Sequence, residues 1–214
     1  MNNSVKFWDK TAEAYSKQPI ADEAAYQKKL QVTRKYLRSD MSVLEFGCGT
    51  GSTAIAHAPY VKHILAIDFS SKMIEIARRK AEANKITNVT FERSTIDELS
   101  VGDRTLDVVL GLNVLHLLKS KEKAIALVYR MLKPGGVFVT STVCLGDTMK
   151  WFKLVAPIGK FLGMMPNVMV FATKELSDSL TDAGFTIDYH WQPSQSVNQG
   201  MFKLKGVFIV AKKS

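Results

Sequence analysis

Apolar positions along this chain keep two rhythms. Short apolar runs suited to strands alternate with longer stretches whose apolar residues return every third or fourth position, the spacing of one helical face. Phe7, Trp8, Ala12 and Tyr15 fall on such a face until Pro19 breaks it. A second helix is predicted from about Asp22 to Leu37, with Ala25, Lys29, Val32 and Tyr36 on one stripe. A strand then holds Val43, Leu44 and Phe46, and Ala54, Ile55 and Ala58 continue on a helix face. The strand Ile64 to Ile67 ends in Asp68, and a helix starts near Ser70 or Ser71, turning Met73, Ala77 and Ala81 inward. On its outer face Glu75 and Arg79 are spaced to pair one turn apart. Val89 to Glu92 and Leu106 to Leu110 read as further strands. A helix from Lys121 to Leu132, carrying Ala124, Leu127, Val128 and Met131 inward, is stopped by Lys133-Pro134-Gly135-Gly136 ahead of a strand from Val137 to Val143.

Alternation of this kind from Val43 to Val143 predicts parallel strands joined by right-handed crossovers. Beyond it the rhythm changes. Residues 145–172 are crowded with apolar side chains, Trp151, Phe152, Phe161, Met164 and Met165 among them, with Lys150, Lys153 and Lys160 between. They read as a cap over a site, or else as a segment that packs on its own core, on a second subunit or, through its lysines, on an anionic membrane surface. A helix follows, with Thr173 as N-cap, running to Ala183 and ended by Gly184. Phe185 to Trp191 and Val207 to Ala211 form an antiparallel hairpin whose long loop is 193–205. One domain is expected over 1–214: an N-terminal helical lid (1–40), a ligand-binding core (41–144), the apolar cap (145–172), and a C-terminal helix and hairpin (173–214).

Composition narrows the class. With 46% hydrophobic and 23% charged residues the chain is an ordinary globular protein rather than a disordered one. No apolar run approaches the roughly 18 residues of a membrane span, and the opening residues lack a signal-peptide core, so a cytoplasmic protein is expected. Cys48 and Cys144 make neither a disulfide framework nor a metal knuckle, and the four histidines have no ligand spacing, so no metal is expected. The net charge of +9 is spread along the chain rather than gathered in one segment. That distribution suits a solvated basic surface better than a nucleic-acid footprint, unless the fold collects the charges on one face.

The chemistry centres on Glu45-Phe46-Gly47-Cys48-Gly49-Thr50-Gly51, lying where a strand hands over to a helix. Glycines at alternate positions let the backbone turn tightly and approach a ligand. Asp68, at the end of the next strand, stands where nucleoside-binding α/β folds accept hydrogen bonds from ribose hydroxyls. The dinucleotide fingerprint would need glycine where Ser52 stands, and it serves a pyrophosphate anion. Glu45 beside the loop favours instead a ligand carrying ammonium and sulfonium groups.

With these residues, and with Leu-Lys-Pro-Gly-Gly ahead of a strand, the chain resembles the class I S-adenosylmethionine-dependent methyltransferases over about residues 5 to 145. The resemblance implies an α/β, Rossmann-like fold with a seven-stranded, mostly parallel sheet ending in an antiparallel C-terminal hairpin, helices on both faces and a helical cap. It also implies S-adenosylmethionine as cofactor, bound by Glu45, Gly47, Cys48, Gly49, Gly51, Asp68 and Phe69. Ile96 and Asp97 match the positions that hold the adenine, although Thr95 departs from the aspartate often found before them and alternatively caps a helix. Gly111 and Leu112 would meet the ligand's amino group, with Asn113 and His116 facing the acceptor. His116 is there either as a base or as a packed, positioning residue; a base is needed only if the acceptor must lose a proton, and His190 and Tyr15 are then the other candidates. Trp8-Asp9 with Ala12 and Tyr15 is similar to the lid segment of small-molecule methyltransferases, where Tyr15 either closes over the cofactor or only packs. A small, largely apolar acceptor is the expected partner, of a monomer or a homodimer. The competing readings are an RNA or protein methyltransferase and a catalytically silent cofactor-binding module.

Overall fold

In the computed structural model, which describes residues 2–147, 168–193, 197–199, 202–204 and 206–214, two helices precede the sheet. They are α1 (Asn2–Lys17) and α2 (Glu23–Arg34). Then come β1 (Ser42–Phe46), α3 (Ser52–His57), β2 (His63–Asp68), α4 (Ser71–Ala83), β3 (Val89–Arg93), β4 (Leu106–Leu112), α5 (Lys121–Met131) and β5 (Leu132–Val143). The chain closes with α6 (Thr173–Asp182), β6 (Phe185–Trp191), β7 (Val197–Gln199), β8 (Phe202–Leu204) and β9 (Gly206–Lys213).

Seven strands form one sheet in the order β3-β2-β1-β4-β5-β9-β6. The first five run parallel, and β9 enters antiparallel between β5 and β6. Side chains alternate through the sheet, because successive strand residues point to opposite faces. Leu44, Phe46 and Val109 join α5 and α6 on one face, while Val43, Val108 and Leu110 meet α2, α3 and α4 on the other. The strand order reverses between β1 and β4, so the carboxyl ends of these strands open the crevice where such sheets bind ligands.

The helix starts follow local capping chemistry. Asp22 accepts from the Ala25 amide at 2.8 Å, Ser70 from Met73 at 3.2 Å and Ser120 from Lys123 at 3.2 Å. Four sequence expectations need correction. Thr173 is not its helix's N-cap: Asp147 reaches in and accepts from the Thr173 amide at 3.1 Å and from its hydroxyl at 2.6 Å. Glu75 and Arg79 do not pair, since Lys72 lies nearer Glu75 (2.9 Å) and Glu13 of α1 takes Arg79 (2.7 Å). Lys133 to Gly136 lie within β5 as an irregularity: Leu106 pairs with Leu132, Val108 with Val137, and the extra residues bulge out. The loop 193–205 contains the short β7/β8 hairpin. Most of the predicted cap, 148–167 with Trp151, Phe152 and Phe161, lies outside the described residues. Its two ends meet on the core, where Gly146 donates to the Phe171 carbonyl at 2.9 Å and Phe171 is buried.

Candidate active site

The glycine loop leaves β1 and turns into α3 through three left-handed residues, Gly47, Gly49 and Gly51, at φ of 65°, 53° and 76°. Gly47 has no room for a side chain, because an added Cβ would stand 2.4 Å from Val114 Cγ2. Gly49 differs. Its Cβ direction is open, and the nearest heavy atom is Tyr15 Cε1 at 4.0 Å. A ligand can therefore lie against the Gly49 backbone with the Tyr15 ring beside it. Cys48 anchors the loop, donating its amide to the Ile67 carbonyl at 3.0 Å. Its thiol is buried, and burial first, then Glu45 and Asp68, push it well above the usual thiol range. A thiol held so protonated is no nucleophile.

Two carboxylates flank this loop. Asp68 accepts from the Gly49 amide at 3.0 Å through one oxygen and from the Ser70 amide at 2.9 Å through the other. A carboxylate offers about four lone-pair sites, so two remain for a diol. Burial raises the pKa of Asp68 and Asp9 adds to the rise, while the Ser70 and Gly49 amides, and more weakly that of Phe69, oppose it. Glu45 is 3% exposed, and its Oε2 has no hydrogen-bond partner among the described residues. Burial, reinforced by Asp68, pushes Glu45 up to about 8. The Ala54 amide opposes this rise, but a buried carboxylate with one oxygen unpartnered and a second carboxylate beside it lacks a cation, and a ligand bearing positive charge would supply it. These residues fit S-adenosylmethionine, with its ribose diol, ammonium and sulfonium, and they misfit a pyrophosphate.

Helix α1 docks on the start of α4 beside this crevice. Asp9 accepts from the Ser70 hydroxyl at 2.6 Å and from the Lys72 amide at 3.2 Å, at the start of α4. Ala12 and Trp8 pack on Met73 and Ile76. Trp8 meets Tyr15 edge-on, with ring centroids 6.0 Å apart. Tyr15 is 46% exposed, yet its phenol is raised above the usual range, by burial first and by Asp68 second.

The other predicted residues fall at the same edge of the sheet with differing exposure. The Phe69 carbonyl accepts from Arg93 at 3.2 Å. Ile96 is buried in the core beside Phe46 and Ile67, while Asp97 is exposed in the turn that Thr95 closes onto Glu98. That turn is not a helix start. Gly111 and Leu112 end β4; a Cβ on Gly111 would meet Phe46 Cζ at 2.5 Å, and its carbonyl takes the Thr140 hydroxyl at 2.9 Å. Asn113 sits left-handed at φ 55° and donates its amide to Ser141 at 2.6 Å.

His116 lies in a 3-10 turn, Leu115–Leu117, with Nδ1 2.9 Å from the Thr142 hydroxyl and its carbonyl accepting from Met169 at 2.6 Å. Burial pushes its imidazole down to about 4. The ring is therefore neutral near pH 7 but a weak base, and a catalytic base works best with a pKa near the working pH. Positioning suits it better than proton abstraction.

Sequence reasoning passed over two residues. Asp9, inside the Trp8 to Tyr15 pattern, holds α1 onto α4. Lys29, placed on a packing stripe, sends its ammonium to Ser141 at 2.9 Å, at the carboxyl end of β5. A lysine inside an apolar stripe was the signal.

Among the described residues, no helix is long and apolar enough to cross a membrane. A family model described as a methyltransferase domain matches residues 37–184. An uncharacterized methyltransferase of Bacillus subtilis, YcgJ, is 30% identical over 139 residues, which is 65% of this chain and 54% of that protein. Malonyl-(acyl-carrier protein) O-methyltransferase of Priestia megaterium is 28% identical over 182 residues, 82% of this chain and 63% of that protein. The chain thus covers less than two thirds of the length of these two relatives. In the solved structures, Bacillus YcgJ matches with a TM-score of 0.72 at 19% identity, over 87% of this chain and 98% of its own. A Thermotoga maritima SAM-dependent methyltransferase, described as a possible histamine N-methyltransferase, matches with a TM-score of 0.72 at 22% identity, over 99% and 100% of the two chains. With the domain match running from just after α2 through α6 on a sheet of this order, the chain belongs to the class I S-adenosylmethionine-dependent methyltransferase family.

Proposed function

We propose that this protein moves a methyl group from S-adenosylmethionine to a small, largely apolar acceptor. The observation that carries this reading is the buried Glu45 carboxyl group, one of its oxygens unpartnered among the described residues, set beside Asp68 at an open glycine turn. When bound, the cofactor supplies a methyl group made electrophilic by its sulfonium. Everything else is the work of this chain. Asp68 takes the ribose hydroxyls through its two remaining lone-pair sites, and Glu45 balances positive charge. Gly47, Gly49 and Gly51, with Cys48 between them, let the backbone approach; Phe69, Ile96 and Asp97 border the adenine; Gly111, Leu112 and Asn113 present backbone to the amino-acid end. Tyr15 closes over the thioether side and excludes water. In-line displacement at carbon is accelerated chiefly by alignment, which contributes about 7 to 11 kcal/mol in well-oriented systems. His116 positions the acceptor rather than deprotonating it.

The apolar character of the acceptor rests on residues 145–172, whose apolar side chains follow β5 directly. The Priestia relative, named for a malonyl group on its carrier protein, is consistent with an acceptor that is no nucleic acid. Two measurements test the reading. S-adenosylhomocysteine should raise the melting temperature and NAD should leave it unchanged; the reverse result removes the cofactor assignment. Incubating a metabolite extract with enzyme and S-adenosylmethionine should then produce one species heavier by a methyl group. Polar substitution at Trp151, Phe152 and Phe161 should abolish that product while leaving S-adenosylhomocysteine affinity within about two-fold. Retained turnover with loss of dimerisation would instead make the segment an interface.

A further inference from the structure

Two different neighbours anchor the two halves of the glycine loop. The first half is tied to β2: Cys48 donates to the Ile67 carbonyl at 3.0 Å and Gly49 to the Asp68 carboxylate at 3.0 Å. The second half rests on α4 and β3. A Cβ on Gly51 would stand 2.8 Å from Ala77 Cβ and 2.7 Å from Phe91 Cε1, so this backbone lies directly on their side chains. Arg78 stiffens that wall, donating to the Phe91 carbonyl through Nε at 3.2 Å and Nη2 at 2.6 Å. Lys80 follows Ala77 by one turn on the same face of α4. Its Nζ reaches the residues on either side of Gly51, 2.9 Å from the Thr50 hydroxyl and 3.3 Å from that of Ser52.

This lysine is not an ordinary surface charge. Among the described residues its ammonium makes no salt bridge, and both of its hydrogen bonds go to hydroxyls of the loop. Burial lowers its pKa, so holding the ammonium here costs desolvation that a solvated lysine avoids. Thr50 is itself buried, and its hydroxyl needs a partner. Helix α3 starts at Gly51 without a side-chain cap, and the Lys80 bonds to the flanking hydroxyls fix that turn instead.

We propose that Lys80 is a positioning residue for methyl transfer, holding Thr50 and Ser52 so that the Gly49 backbone is already in place when the cofactor arrives. The inference rests on the methyl-transfer reading. A loop ordered beforehand loses less freedom on binding, and affinity gains by that difference. The same helix docks α1 through Arg79 and its cap Ser70, so α4 sets both the loop and the helix that bears Tyr15.

The test titrates S-adenosylhomocysteine calorimetrically into wild type, Lys80→Met, Lys80→Arg, Thr50→Val and the double variant of Lys80→Met with Thr50→Val. The denaturant midpoint of each ligand-free protein is measured beside it. Lys80→Met and Thr50→Val should each weaken binding by about five-fold or more, and Lys80→Arg should stay within about two-fold of wild type. The double variant should bind no more weakly than the poorer single variant, because both changes remove one contact. A lowered midpoint with wild-type affinity in Lys80→Met makes Lys80 a strut for folding alone and overturns the proposal. Losses that add in the double variant overturn it too, since Lys80 then acts elsewhere than through Thr50. Should Lys80→Met fail to fold, Thr50→Val and Ser52→Ala carry the same comparison, and wild-type affinity in both is decisive against it. Wild type that binds no S-adenosylhomocysteine strikes the proposed function itself, a failure seen before any variant is compared.

Discussion

At the scale of single residues, the site is governed by what two carboxylates lack. Asp68 already accepts from the Gly49 and Ser70 amides, which fix its direction without exhausting it. Asp68→Ala should weaken S-adenosylmethionine binding by about 1.5 to 3 kcal/mol, the range for hydrogen bonds to a charged group, in calorimetry on a folded variant. Unchanged affinity would take Asp68 out of the site. Glu45, pushed up to about 8, is mostly protonated at pH 7 in the free protein. A cationic ligand beside it favours the carboxylate, so binding should release a proton. Calorimetry at pH 7 in buffers of differing ionisation enthalpy should show heats that scale with the buffer, and Glu45→Gln should abolish the dependence. Buffer-independent heats in wild type would mean that Glu45 does not face the positive charge. Both residues were legible in the sequence, because a strand end and a glycine loop fix their places. The Lys29 to Ser141 contact was legible only as an oddity, a lysine in an apolar stripe: its partner stands 112 positions along the chain, and residue spacing along α2 does not encode it.

At the scale of elements, the strands and helices of the parallel half follow from periodicity and caps, and the departures occur where a distant segment intervenes. Ser70 and Ser120 cap their own helices as local chemistry dictates. Thr173 does not, because Asp147, just after β5, supplies a better acceptor and ties the start of the cap region to α6. Asp147→Ala should lose a cap worth about 0.5 to 2 kcal/mol, read as a lowered denaturant midpoint at unchanged slope. A midpoint equal to wild type would show that solvent replaces the carboxylate there. The Lys133 to Gly136 bulge shows a subtler limit. Proline and glycine signalled the end of α5 correctly, but the register that pairs Leu132 with Leu106 before the bulge comes from the neighbouring strand. Likewise Glu75 and Arg79 satisfy the helical pairing rule, and α1, through Glu13, outcompetes it.

Over the whole molecule, buried ionisable groups of opposite kinds should give the ligand-free protein a stability that declines as pH rises from 6.5 to about 8. His57, buried with both ring nitrogens unpartnered among the described residues, and His116 are pushed down to about 4 from an ordinary 6.5. Between those values the unfolded chain binds protons that the native state refuses, so stability falls as pH drops through that window. Glu45 has the opposite sign. Its native pKa of about 8 stands above the ordinary 4.5, so the native state keeps a proton the unfolded chain has lost. Its contribution declines as pH rises from 4.5 to 8 and is gone above. Asp68, also raised, acts in the same direction starting from 3.8. Each proton is worth at most about 1.4 kcal/mol per pH unit. Below pH 6.5 the two histidines oppose Glu45 and Asp68, and above it the histidine window has closed while that of Glu45 runs on to about 8, which places the start of the alkaline decline where the histidine window closes. Thermal melts of the free protein across pH 5 to 9 should show this decline, and Glu45→Gln should flatten the alkaline limb alone. Saturating S-adenosylmethionine should flatten the same limb, because a bound cation has already drawn the proton from Glu45. An alkaline slope that survives both would place the responsible group elsewhere and remove Glu45 from the cofactor's charge balance.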